Sequence, residues 1–105
     1  MDEFDLNIIY DASLEFGENW RRPITELTRE RLPNIDESLL LEMSNYIEEV
    51  REDIEQLVYD NYADIIAKKI SEKEVKDKIL GSYPWMNNEN VNHGFSQGMY
   101  YAWHG

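Results

Sequence analysis

Cysteine is absent from this 105-residue chain. Its absence excludes disulfides, thiolate metal sites and cysteine nucleophiles, and it agrees with a reducing compartment. No stretch approaches the ~18 consecutive apolar residues of a membrane span. The segment MDEFDLN lacks the basic and apolar regions of a signal peptide. We therefore expect a cytoplasmic protein with no membrane partner.

Basic residues are scarce, so the net charge is −12, from 22 acidic and 10 basic residues. Residues 1–66 contain 18 acidic residues and five arginines, whereas all five lysines lie within residues 68–78. An acidic surface repels nucleic acid and attracts basic proteins, so we expect a basic protein partner and no nucleic acid. The alternative is that the acidic helix faces only keep the protein soluble.

Glycine and proline are both missing between residues 36 and 70, so nothing in this stretch forces a helix to stop. Apolar residues recur there at alternating steps of three and four, which places them on one narrow stripe of a helix. We predict one long helix over about 36–69, with a bend near Asp60-Asn61 as the alternative. The stripe consists of Leu40, Met43, Ile47, Val50, Ile54 and Leu57.

Capping signals indicate where the helices begin and end. Asp2 and Asp36 suit N-caps, because their carboxylates can accept from the first free amides of a helix. Ser71 and Glu74 form a capping box, which predicts a new helix after Ser71 and an end of the long helix close to residue 70. Gly81 suits the end of that new helix.

We predict an all-α fold in a single domain over 1–105, an irregular four- to five-helix up-and-down bundle around the long helix. The predicted helices span 2–17, 23–32, 36–69, 72–81 and 88–103. Residues 4–10 also alternate as a strand would, but no other segment could pair with it, so a helix is preferred. The predicted core contains Phe4, Ile8, Phe16, Ile24, Leu27, Leu40, Met43, Ile47, Val50, Ile54, Leu57, Ile65, Val75, Ile79, Val91 and Phe95.

Motifs for catalysis and metal binding are missing. The chain has no nucleophile elbow, no glycine-rich phosphate loop and no pair of histidines at helical metal-ligand spacing. Neither histidine follows a glutamate by three positions, so the carboxylate motif of helical di-metal sites is absent. We therefore expect no enzymatic activity, no metal and no cofactor.

Two groups of side chains could bind a partner. One is a dense band of carboxylates on the long helix, which only Arg51 offsets. The other is the polar and aromatic face of the last helix, since tyrosine and tryptophan are common in interface hot spots. The candidate binding residues are Glu48, Glu49, Glu52, Asp53, Glu55, Asp60, His93, Gln97, Tyr100, Tyr101, Trp103 and His104. Arg21 and Arg22 could clamp a carboxylate ligand or, as we prefer, pair with neighbouring acidic residues.

These features predict a small acidic protein-binding module, comparable in physical style to an immunity protein or antitoxin that inhibits a basic protein such as a nuclease. The alternative is a structural or scaffold protein that self-associates through helical faces. An enzyme that uses a histidine and a tyrosine is a third class, with no motif to support it. Both a monomer and a homodimer are compatible with the sequence.

Overall fold

The computed structural model describes residues 2–14 and 22–104, and within these ranges the regular structure is entirely helical. The helices are α1 (Glu3–Leu14), α2 (Ile24–Arg31), α3 (Glu37–Ile66), α4 (Glu72–Ser82) and α5 (Asn88–His104). The predicted all-α fold with one long helix is confirmed, and residues 4–10 are helical. The chain groups into two compact units, Met1–Arg51 and Glu52–Gly105, whose boundary falls inside α3. A single domain over 1–105 stays a prediction.

Helix α3 continues for 30 residues without interruption, through Asp60-Asn61. Asp36 caps its first turn, since the Asp36 carboxylate accepts from the Ser38 amide at 3.2 Å. Asn61 donates its side-chain amide to the Leu57 carbonyl at 2.7 Å and so leaves the helical ladder intact. The helix ends at Ile66, three residues before the predicted end.

The early end of α3 has a local cause in the backbone at Lys68, which has φ 60°. The Lys69 amide donates to the Asp64 carbonyl at 2.8 Å, and the Lys68 amide donates to the Ile65 carbonyl at 3.1 Å. These bonds form a Schellman motif, in which the left-handed position is usually occupied by glycine. A lysine at this position carries the steric cost of a Cβ in the left-handed region.

Lys68→Gly should therefore raise the free energy of unfolding by about 1 kcal/mol, because glycine adopts positive φ without this cost. Urea denaturation measures the change. Lys68→Ala is the matched control, since it removes the same charge but keeps the Cβ, and it should leave stability nearly unchanged. Equal effects of the two substitutions would instead assign the change to the lost charge.

The first unit contains α1, α2 and the first half of α3. Their apolar faces meet around a buried polar pair, in which the Thr28 and Ser44 hydroxyls are 3.0 Å apart and Thr28 also donates to the Ile24 carbonyl at 2.7 Å. Arg51 donates to the Ser13 carbonyl at 3.2 Å, which places its positive charge at the C-terminal end of α1. The buried apolar residues of this unit are Leu6, Ile9, Tyr10, Ala12, Leu14, Ile24, Leu27, Leu40, Met43, Ile47 and Val50.

The predicted buried face of α1 was wrong. Phe4 is 73% exposed and Ile8 is only half-buried, whereas Leu6, Ile9 and Tyr10 are buried. Phe4 and Ile8 are four residues apart. Residues at every fourth position move by about 40° per step around a helix of 3.6 residues per turn, so they do not stay on one face. The face that packs instead follows mixed steps of three and four. Phe16 and Gly17 lie outside the described residues.

The second unit contains the second half of α3, together with α4 and α5. The capping box at its α3–α4 junction is confirmed, because the Ser71 hydroxyl accepts from the Glu74 amide at 3.1 Å. Helix α4 continues one residue past the predicted Gly81, and the Tyr83 amide closes its last turn on the Ile79 carbonyl at 2.9 Å. The buried apolar residues are Ile54, Val58, Ile65, Val75, Ile79, Met86, Val91 and Phe95.

Gly98 brings α5 very close to α3. A Cβ built on Gly98 would lie 2.9 Å from the Val58 Cβ and 3.0 Å from its Cγ2. The glycine thus allows α5 to pack closely on α3. This contact also explains why Val58 is fully buried while Leu57, the predicted core residue, is only half-buried.

Alanine should have opposite effects at two helical glycines. Gly98→Ala should lower the free energy of unfolding by about 1–3 kcal/mol, because the new methyl group overlaps the branched Val58 side chain. Gly81→Ala should raise it by up to ~1 kcal/mol, since the Cβ meets open space and alanine favours the helix. Thermal unfolding of both variants measures this difference. The same sign at both positions would contradict the close α3–α5 contact.

Candidate functional site

The predicted acidic band follows α3 across the boundary of the two units. Glu48 and Glu49 are exposed in the first unit. In the second unit Glu52, Asp53 and Asp60 are exposed, and Glu55 is half-buried. Arg51, the one basic residue within α3, donates to the Ser13 carbonyl.

Two carboxylates of the second unit have structural partners. The Tyr83 hydroxyl donates to Asp53 at 2.5 Å, which ties the end of α4 to α3. The side-chain amide of Gln56 donates to Asp60 at 2.7 Å within α3. Asp53 and Asp60 therefore contribute to local structure as well as to the negative charge of the helix.

Glu52 and Glu55 lie in a cleft of about 420 Å³ between α3 and α5. We call it the acidic cleft. Tyr59 on its α3 side is 58% exposed, so the ring is accessible to a partner. The six lining residues are Glu52, Glu55, Gln56, Tyr59, Tyr101 and Ala102.

Aromatic side chains crowd the last turns of α5, next to the acidic cleft. The Tyr100 ring lies 5.8 Å from the Tyr101 ring and 4.3 Å from the His104 ring, and the Trp103 ring lies 4.4 Å from the His104 ring. Tyr100, Trp103 and His104 are exposed, and Tyr101 is half-buried. The structure thus brings the aromatic end of α5 beside part of the acidic band.

Carboxylates and aromatic rings in one cleft suit a cationic side chain. A guanidinium or ammonium group could pair with Glu52 or Glu55 while it lies against the Tyr59 or Tyr101 ring. Negative charge alone would attract such a group only weakly at the surface. The combination with exposed aromatic area gives the cleft the composition of an interface hot spot.

Gln97 is buried, although the sequence predicts it on the exposed polar face of the last helix. The side chain is only 4% exposed, and its Oε1 has no hydrogen-bond partner among the described residues. Its amide nitrogen donates to the Tyr101 hydroxyl at a long distance of 3.4 Å. Gln97 precedes Gly98, where α5 packs closely against α3, and it is buried for this reason. His93 is half-buried on the same helix.

Gln97→Met should raise the free energy of unfolding by about 1 kcal/mol, because it removes a buried acceptor without a partner and keeps the side-chain volume. Chemical denaturation measures the change. Tyr101→Phe is the control and should act in the opposite direction, because it removes the acceptor of the buried Gln97 nitrogen. A loss of stability in Gln97→Met would show that the amide is satisfied in solution.

The arginines considered as a carboxylate clamp have intramolecular partners where the structure describes them. Arg22 donates to Glu26 at 2.6 Å and also pairs with Glu30. The pKa of Arg22 is raised by its hydrogen bonds to Glu30 and Glu26, and the pKa of Glu30 is lowered by its hydrogen bond from Arg22. The preferred prediction of local pairing is therefore confirmed for Arg22. Arg21 lies outside the described residues.

Three lining residues, Gln56, Tyr59 and Ala102, were not among the predicted binding residues. Gln56 and Tyr59 carried a signal in the sequence, because they follow Glu52 and Glu55 at helical spacing on a single face. The carboxylates alone predicted a binding surface here, although the face that holds Glu52 and Glu55 also holds an aromatic residue, Tyr59. The contribution of Ala102 depends on how α5 packs, for which the sequence had no separate signal.

Within residues 2–14 and 22–104, no group of three or more histidine, aspartate or glutamate side chains could hold a metal ion. Across the same ranges, no helix is both long and apolar enough to cross a membrane. Comparison with protein-family models, curated proteins and solved structures gives no significant match.

Proposed function

We propose that the protein is an acidic binding module that recognises a basic protein through the acidic cleft and the aromatic end of α5. The observation that carries this proposal is the shared cleft, in which Glu52 and Glu55 lie beside Tyr59 and Tyr101. An inhibitor of a basic enzyme such as a nuclease, in the manner of an immunity protein or antitoxin, is the form of partner recognition that we favour.

Charge supports the association step. Net charge of −12 steers a basic partner toward the protein, and the effect weakens with salt because the Debye length is only about 8 Å at physiological ionic strength. Acidic residues outside the cleft, such as Glu48 and Glu49, would act mainly at this stage. Their exposure means that each contributes little to the final affinity.

Aromatic contact supports the bound state. The exposed rings of Tyr59, Tyr100 and Trp103 offer apolar area that stays rigid on binding, which lowers the entropic cost of association. A lysine or arginine that enters the cleft would meet both charge and ring faces. Affinity should therefore depend more on Tyr59 than on any one exposed carboxylate.

The proposal is tested by capture of a basic protein from the lysate of the source cells on the immobilised protein, followed by calorimetry with the purified partner. Tyr59→Ala should weaken binding at least about tenfold, the cost of a moderate hot spot. Glu52→Gln with Glu55→Gln should slow association several-fold and flatten the salt dependence. Thermal unfolding confirms that the variants fold.

Glu42→Gln with Glu89→Gln is the matched control, because it removes the same charge from two exposed positions that do not line the cleft. It should change the association rate less than the cleft variant does. Capture of no basic protein, or equal loss in the cleft and control variants, would remove the support for this function. Inhibition of the partner's activity by the wild-type protein would identify an inhibitor within the broader binding class.

A further inference from the structure

A second groove in the second unit is lined by lysines and glutamates beside apolar residues. It has a volume of about 600 Å³ and lies at the junction of α3 and α4, against Met99 of α5. We call it the lysine groove. Its apolar wall includes Ile66, which is 59% exposed although it ends the central helix. The residues that matter here are Ile65, Ile66, Lys68, Lys69, Ile70 and Met99.

Two of the five lysines of the chain, Lys68 and Lys69, line the lysine groove together with Glu72 and Glu74. Lys68 and Lys69 form no ion pair with another residue in the described part of the chain, whereas Lys73 on α4 pairs with Asp77 at 2.8 Å. Glu72 and Glu74 lie on the α4 side of the groove, and Glu74 is engaged in the capping box with Ser71. The groove therefore offers apolar area beside two lysines that could pair with the carboxylates of a partner.

The first turn of α1 has the complementary chemistry. Phe4 is 73% exposed, so the described part of its own chain does not bury it. Glu3 and Asp5 flank it on the same turn, and Asp2 caps that turn through a 2.7 Å bond from the Phe4 amide. An exposed aromatic ring between carboxylates, held on a capped helical turn, is a preformed ligand for an apolar groove with a cationic rim.

We propose that the protein self-associates head to tail, with Phe4 of one copy in the lysine groove of a second copy. In this contact Phe4 would pack on Ile66 and Met99, while Glu3 and Asp5 would meet Lys68 and Lys69. The net charge of −12 on each copy opposes association, but charges beyond about 8 Å are screened at physiological ionic strength, so the opposite charges at the contact dominate. Because the two surfaces differ, one copy of the pair still has a free groove and the other a free Phe4, and each can bind a further copy.

Sedimentation velocity over a range of concentrations tests the proposal on the 105-residue chain. The wild-type protein should show reversible oligomers that grow with concentration. Phe4→Ala should weaken association at least about tenfold, because a fully buried phenylalanine is worth that much or more. Leu41→Ala removes another exposed apolar side chain and should leave association unchanged. A wild-type protein that stays monomeric at every concentration would overturn the proposal.

A mixing experiment identifies the two surfaces. The Phe4→Ala variant lacks the inserted ring but keeps its groove, and the variant Ile66→Ser with Lys69→Glu lacks the groove but keeps its ring. Each should be monomeric alone, and an equimolar mixture should form dimers that do not grow further. Circular dichroism checks that both variants fold. If the mixture stays monomeric, or if either variant alone still forms oligomers like the wild type, Phe4 does not dock in the lysine groove.

Discussion

The contact between Gly98 and Val58 is the constraint on which the second unit depends. Helices α3 and α5 approach so closely there that a methyl group on Gly98 would lie within 3.0 Å of the valine. Such an approach needs a residue without a side chain, and it buries Val58 completely. The same contact brings two residues of the acidic cleft together, because Tyr59 follows Val58 and Tyr101 lies one turn after Gly98. The acidic cleft exists because these backbones are close.

Much of the fold could be predicted from the sequence because local rules and packing agree along most of α3. The stripe from Leu40 to Ile54 is buried as its spacing indicates, and Ser71 caps α4 as the capping box predicts. Where two faces of a helix were both apolar, periodicity could not decide between them. In α1 it favoured Phe4, which is exposed, and in α3 it favoured Leu57 over Val58. In both cases the choice depends on which partner helix is close.

The candidate site was less predictable than the fold for the same reason. Composition identified the carboxylates of α3 and the aromatic residues of α5, but only packing brings Glu52 and Glu55 beside Tyr101. Packing also buries Gln97, which was predicted on the surface, and brings the Tyr83 hydroxyl to the Asp53 carboxylate. The cleft is formed by residues of two helices, so the sequence pattern of one helix cannot predict which residues of the other lie beside it.

The chain departs from the usual local preferences next to both proposed surfaces. Lys68 occupies a left-handed position that glycine usually fills, and its side chain borders the lysine groove. Gln97 buries an amide oxygen without a partner among the described residues, while its nitrogen reaches Tyr101 in the acidic cleft. Residues that cost stability without a gain in packing are expected to concentrate where a sequence serves binding. The costs at Lys68 and Gln97 therefore favour a binding role for these surfaces, and a stabilising substitution at either position should be judged by what it does to association.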